Sequence, residues 1–159
     1  MEHIKRVIFA AGSGTSRAPM AAAIMKQMAE GMGIDVLSRG VVVLFPEPMN
    51  QKTEAVLISN GIVPDNFAAE QLVDADIIPD TLILTMEESQ RRKVIDEIAG
   101  ANEENTFVLS TFVGDEIEVV NPYGASLQTY GLCFEVLKKS IEKLLVKLQH
   151  MDEGKRNER

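Results

Sequence analysis

Val7-Ile8-Phe9-Ala10-Ala11-Gly12-Ser13-Gly14-Thr15-Ser16-Arg17-Ala18-Pro19-Met20-Ala21 passes from an apolar run through a glycine turn into a helix start. Val7, Ile8 and Phe9 follow one another without alternation, as in a parallel strand covered on both faces, so a strand is expected over Ile4 to Ala10. Gly12 and Gly14 let the backbone curl, and Pro19 suits the first helical turn, where its missing N–H costs nothing. An Ala- and Met-rich helix is expected over Met20 to Met32.

Working outward, Ile34 to Leu37 reads as a second strand, and Asn50 can cap a helix that Asn60-Gly61 stops. Leu82-Ile83-Leu84 is a third strand, with Thr85 and Glu88 spaced as a capping box for a helix to about Ala99; Phe107-Val108-Leu109 is a fourth. From about Ala125 to Gln149, Leu127, Tyr130, Phe134, Leu137, Ile141, Leu144 and Leu148 form one apolar stripe of a long helix. Strands alternating with helices imply an α/β fold with a mostly parallel sheet, its ligand site beyond the carboxyl ends of the strands. Residues 1–150 are expected to form a single α/β domain and residues 151–159 a polar, frayed C-terminal tail.

The chain has 159 residues, enough to bury roughly 70% of its unfolded surface in one domain. With 45% hydrophobic and 25% charged residues it is globular. The 24 acidic against 16 basic side chains, net −8, oppose a phosphate backbone, so nucleic-acid binding is not expected. No apolar run approaches the about 18 residues of a membrane span, and neither an apolar leader nor a disulfide is available, so a cytoplasmic setting without membrane contact is expected. One cysteine and two histidines at opposite ends cannot make a Cys/His metal site. The glycine loop lacks both the Gly-Lys-Ser/Thr step and the third glycine of a dinucleotide fingerprint, so no nucleotide, metal or other cofactor is expected.

In the loop itself, Gly12, Ser13, Gly14, Thr15, Ser16 and Arg17 read as an anion cradle, with N–H groups of the following helix facing the hollow and an arginine at the rim offering two oxygens a planar fork. A glycine turn beside a surface arginine is the plainer alternative. Met20, Met25, Met28 and Met32 recur at helical spacing, as core filler or as the face of a protein partner or homodimer. Cys133, beside the stripe of the last helix, reads as a partly buried small hydrophobe.

The loop resembles the signature loop of the low-molecular-weight protein tyrosine phosphatases, a fold shared with arsenate reductases. Ser38-Arg39-Gly40-Val41, Leu82-Ile83-Leu84-Thr85-Met86-Glu87-Glu88-Ser89 and Asn121-Pro122-Tyr123-Gly124 follow in the same order as in that family. The resemblance implies a three-layer α/β/α fold with a four-stranded parallel sheet. It also implies a phosphate loop of Cys, five residues, Arg and Ser or Thr, and an Asp-Pro-Tyr-like loop bearing a general acid. Here the nucleophile's position falls on Ala11, the loop hydroxyl's on Ala18 and the general acid's on Asn121, so none of the three roles can be filled. A deliberately inactivated trap would account for Ala11 but not for Ala18 and Asn121. Arg17 matches its counterpart, and Pro122 and Tyr123 are expected to wall the pocket. The resulting expectation is a catalytically vacant phosphatase-like protein that binds phosphate, sulfate or a phosphorylated protein or small molecule at residues 12–17. An active phosphatase with another nucleophile, and an interaction protein with a relic anion site, are the alternatives.

Overall fold

The computed structural model describes residues 3–157. Strand β1, Arg6–Ala10, is followed by helix α1, Arg17–Met28, and strand β2, Asp35–Arg39. Helix α2 spans Gln51–Ser59, and a single 3₁₀ turn, Asp74–Asp76, precedes β3, Thr81–Thr85. Helix α3, Glu88–Glu97, strand β4, Thr106–Val108, the short α4, Leu109–Val113, and the long α5, Leu127–Asn157, complete the chain. The four strands pair in parallel in the order β2-β1-β3-β4.

Because side chains alternate across a strand, the apolar run of β1 serves two cores. Val7 and Phe9 join Leu82, Leu84 and the buried faces of α1, α2, α4 and α5. Ile8 and Ala10 join Ile83, Val94 of α3 and Leu72 on the opposite side. Helices thus cover both faces of the sheet, giving the expected three-layer α/β/α architecture. After β1 the chain moves to β2 on one side and then to β3 on the other, so the loop leaving β1 opens at the point where the strand order reverses.

Several expected boundaries shift, each for a local reason. α1 begins at Arg17 rather than Met20, which puts Pro19 at its third position, still before any intrahelical N–H is needed. Asn50 caps α2 as expected, its Oδ1 accepting from the N–H of Lys52 at 2.9 Å and of Thr53 at 3.3 Å. Thr85 does not cap α3: it is the buried last residue of β3, and its hydroxyl donates to the Glu87 carbonyl at 3.1 Å. Glu87 is the N-cap, with Gln90 Oε1 accepting from its N–H at 3.1 Å. Leu109, expected in the fourth strand, starts α4 instead. On α5 the stripe from Tyr130 to Leu148 is buried, but Leu127 is exposed. α5 does not end near Gln149. It continues to Asn157, so the expected frayed tail is helical there, and residues 158–159 of that tail lie outside the described residues. Met20 and Met25 are core, whereas Met32 is exposed.

Candidate functional site

Residues 11–16 link β1 to α1 through two left-handed glycines, Gly12 (φ 41°) and Gly14 (φ 76°). A Cβ on Gly14 would stand 2.8 Å from the Gly40 nitrogen, so position 14 requires glycine for space as well as for conformation. The loop's carbonyls are pinned to its surroundings. Gly12 O accepts from the N–H groups of Val41 (2.8 Å) and Val42 (3.0 Å), and Thr15 O accepts from that of Asn50 (2.9 Å). Arg39, whose carbonyl receives the Ala11 N–H at 3.2 Å, is itself fixed by Asp76 through Nε at 3.0 Å and Nη2 at 3.2 Å.

With the carbonyls turned outward, the N–H groups of Gly12, Ser13, Thr15, Ser16 and Arg17 donate to no acceptor among the described residues. Gly14 is the exception, its N–H closing a turn onto Ala11 O at 2.8 Å. The Ser16 side chain does not cap α1, so the positive end of that helix dipole also faces the hollow uncompensated. The hollow is a pocket of about 100 Å³ lined by residues 11–17 with Asn121 and Tyr123. Ala11 places a methyl group where the resemblance expects a thiolate.

Arg17 lines this pocket but is not a rim residue: its side chain is 4% exposed. Nη1 donates to Val119 O at 2.9 Å and Nη2 to Glu87 Oε2 at 2.5 Å. The remaining N–H donors of its fork are free for an anion, and the two bonds fix the guanidinium plane in advance. Glu87 also neutralises the arginine's charge, so attraction of an anion falls to the backbone N–H groups and the helix dipole. Neither Glu87 nor Val119 is suggested by the sequence as part of the site. Glu87 lies in the stretch Leu82–Ser89 that follows the family's order, but nothing in that stretch ties it to Arg17.

The second wall departs from expectation at one residue. Tyr123 lines the pocket, 78% exposed, but Pro122 faces away into an apolar groove against α5, and Asn121 takes its place. Asn121 and Tyr123 line the pocket and Pro122 lies on the other side, at the start of a turn through Tyr123 and Gly124 that the Ala125 N–H closes on Pro122 O at 2.9 Å. Asn121 Oδ1 accepts from the Tyr123 N–H at 3.2 Å. Ala18 is fully buried in the first turn of α1 and does not line the pocket. Ser13 and Thr15 hydroxyls lie 3.0 Å apart, with no histidine beside them: His3 bonds Asp152 at 2.5 Å and His150 is on α5, and neither lines the pocket.

Cys133 is buried against the back of the 117–122 segment, its Sγ 4.0 Å from Val120 O. Burial pushes its thiol up to about 11, with the Arg17 charge opposing. Alkylation of the native protein by iodoacetamide should therefore be slow at neutral pH and rise steeply towards pH 11, while the denatured chain reacts at an ordinary rate. The unfolded thiol ionises first, at the usual value near 9.0, so this residue's contribution to stability is complete below that and declines as pH rises towards 11. Fast native labelling at neutral pH would contradict the buried placement.

Among the described residues no group of three or more His, Cys, Asp or Glu side chains is arranged to hold a metal, and no helix is long and apolar enough to cross a membrane.

Comparison with known proteins accords with this geometry. The protein is 29% identical over 139 residues to the low molecular weight protein-tyrosine-phosphatase PtpB of Staphylococcus haemolyticus, covering 87% of this chain and 96% of the relative. It is 29% identical over 145 residues to the protein-arginine-phosphatase of Geobacillus stearothermophilus, covering 91% and 96%. The crystal structure of the low molecular weight protein tyrosine phosphatase from T. tengcongensis superposes with a TM-score of 0.83 at 31% identity, covering 90% of this chain and 99% of that one. The sole cysteine, Cys133, is not among the residues that line the anion pocket. With residues 6–155 matching the family model described as low molecular weight phosphotyrosine protein phosphatase, the chain belongs to that family.

Proposed function

We propose that this protein is a non-hydrolysing receptor for a phosphoryl or sulfate group, taken up as the free anion or on a phosphorylated protein or small molecule, at residues 12–17. The observation that carries the reading is the combination of unclaimed loop N–H groups and a fixed guanidinium with a methyl group, Ala11, at the position of attack. An alanine offers no electron pair to phosphorus, Asn121 cannot protonate a leaving group, and Ala18 offers no hydroxyl. Binding thus outlives turnover. The names of the two relatives suggest two phosphorylated side chains to try, phosphotyrosine and phosphoarginine.

A phosphorus NMR titration of each phosphoamino acid, and of inorganic phosphate, tests this in one sample. The expected result is a shifted, broadened ligand line with no free phosphate growing in, lost in Arg17→Ala at a temperature where that variant is folded. Growth of an Arg17-dependent free-phosphate line would overturn the proposal in favour of an active phosphatase. A second reading, an interaction protein with a relic anion site, is favoured by the engagement of Arg17 with Glu87 and Val119, and unchanged spectra would count against the receptor reading and for this one.

A further inference from the structure

Behind the anion pocket, the segment 115–122 runs antiparallel along α5 and is tied to it at both ends. Asp115 accepts from Ser140 Oγ at 2.9 Å and from Lys143, and Val120 O approaches Cys133 Sγ at 4.0 Å. Between the ties lies an apolar groove of about 330 Å³. Its segment edge carries Ile117 and Val120, 77% and 66% exposed, and its helix edge Leu132 and Val136, 67% and 47% exposed. Such contiguous exposure is unusual for a surface that meets only water. Glu116 stands beside Ile117 on the segment, and Lys139 continues the helix face one turn beyond Val136. Neither charge has an ion-pair partner among the described residues, unlike Lys143, which Asp115 holds.

We propose that a second copy of this chain closes the groove, in a two-fold dimer whose axis runs along the groove parallel to α5. A two-fold axis in that direction exchanges the two edges while preserving height along the helix. The ties set the heights: Asp115 is level with Ser140 and Val120 with Cys133, which brings Ile117 towards the level of Val136 and Glu116 towards that of Lys139. The operation lays the segment edge of one copy on the helix edge of the other, Val120 on Leu132, Ile117 on Val136 and Glu116 on Lys139, each contact made twice. Apolar meets apolar at these positions and Glu116 meets Lys139 in the same register, while Glu118, the one charged residue lining the groove, has a carboxylate oxygen taken by the Glu88 N–H at 2.8 Å. A small apolar molecule would fill the groove floor but leave both raised edges in water, whereas a second protein surface covers them. The same segment presents Val119 O to Arg17 and carries Asn121 and Tyr123 on its other face, so dimerisation would hold the pocket wall in place.

Sedimentation equilibrium of the full chain at low salt tests the proposal, with circular dichroism to establish that each variant is folded. A concentration-dependent dimer is expected, and Leu132→Glu, at an exposed position, should make it monomeric. Glu116→Lys or Lys139→Glu alone should raise the dimer Kd roughly tenfold, since each reversal acts at two symmetric contacts, and the double variant should return it to within about twofold. A monomer at every concentration, including one whose groove binds an apolar dye, would overturn the dimer. A dimer that survives Leu132→Glu would overturn this face, and failure of the double reversal to restore association would overturn the register.

Discussion

Replacing Arg17 with alanine is expected to abolish anion binding and to remove about 2–4 kcal/mol of folding stability. The side chain is 4% exposed, and its loss leaves Val119 O without its donor and Glu87 without its counter-charge. Glu87 is 35% exposed and can recover water, which keeps the cost below that of stranding a fully buried ion. For a domain of this size the melting temperature should fall by on the order of 10 °C. Out of a total stability of about 5–15 kcal/mol the variant still folds at low temperature, where binding can be read. Arg17→Lys separates the two roles, because an ammonium keeps the charge but cannot span both acceptors and still offer an anion a planar pair of donors. Its expected loss is smaller in stability, about 1–2 kcal/mol, and still at least tenfold in anion affinity. Glu87→Gln should move affinity the other way, by several-fold, since it keeps an acceptor for Nη2 and removes the neutralising charge. If all three variants changed stability and left phosphate affinity untouched, Arg17 would be a structural residue and the receptor reading would fail.

These partners explain why the site was only half legible in the sequence. The loop itself was readable because every device in it is local: the apolar run of β1, two glycines, and a helix entry with Pro19 all lie within a short stretch. Glu87 and Val119 lie 70 and 102 positions from Arg17, and no spacing rule connects them. Chain topology does, since β3 lies beside β1 and delivers Glu87 to the end of the strand that delivers the loop. Pro122 lies away from the pocket for a different reason: the chain turns at Tyr123 and Gly124 with the Asn121 side chain closing on the Tyr123 N–H, which leaves those two residues on the pocket side and the proline against α5. Thr85 and Leu109 show the same limit at element ends. Thr85 satisfies the capping-box pattern, but burial within β3 and the nearby Gln90 give the cap to Glu87. The run Leu109-Ser110-Thr111-Phe112-Val113 has the residue types of a strand, yet packing of Leu109 and Phe112 into the core under α5 makes it a helical turn. What the sequence carried without ambiguity was the alternation of strand and helix, because that rests on long apolar periods rather than on single residues.

Restoring the missing thiol is expected to reveal how much of the catalytic environment survives. The Ala11 methyl lines the pocket and is 4% exposed, so Ala11→Cys introduces a sulfur among the loop N–H groups and near the Arg17 guanidinium. A thiolate at such a helix start is stabilised, with a pKa expected in the range of about 3.5–7.5. Cys133 provides the internal contrast: burial without donors raises its thiol to about 11. Iodoacetate at mildly acidic pH should therefore label position 11 and spare position 133. With p-nitrophenyl phosphate, the thiolate can attack phosphorus and expel p-nitrophenolate without help from an acid, since that anion is a good leaving group. Release should stop after one equivalent, because Asn121 cannot activate the water needed to break the resulting phosphorus–sulfur bond. Adding Asn121→Asp, whose carboxylate would line the same pocket, should turn the burst into steady turnover faster by about 10²–10⁴. The unmodified protein should show neither burst nor turnover. An Ala11→Cys thiol with ordinary reactivity would mean that the loop no longer presents a positive field, and would remove the physical basis for anion binding as well as for catalysis. A reactive thiol with no burst would place the loss in the geometry of attack, leaving the anion site itself intact.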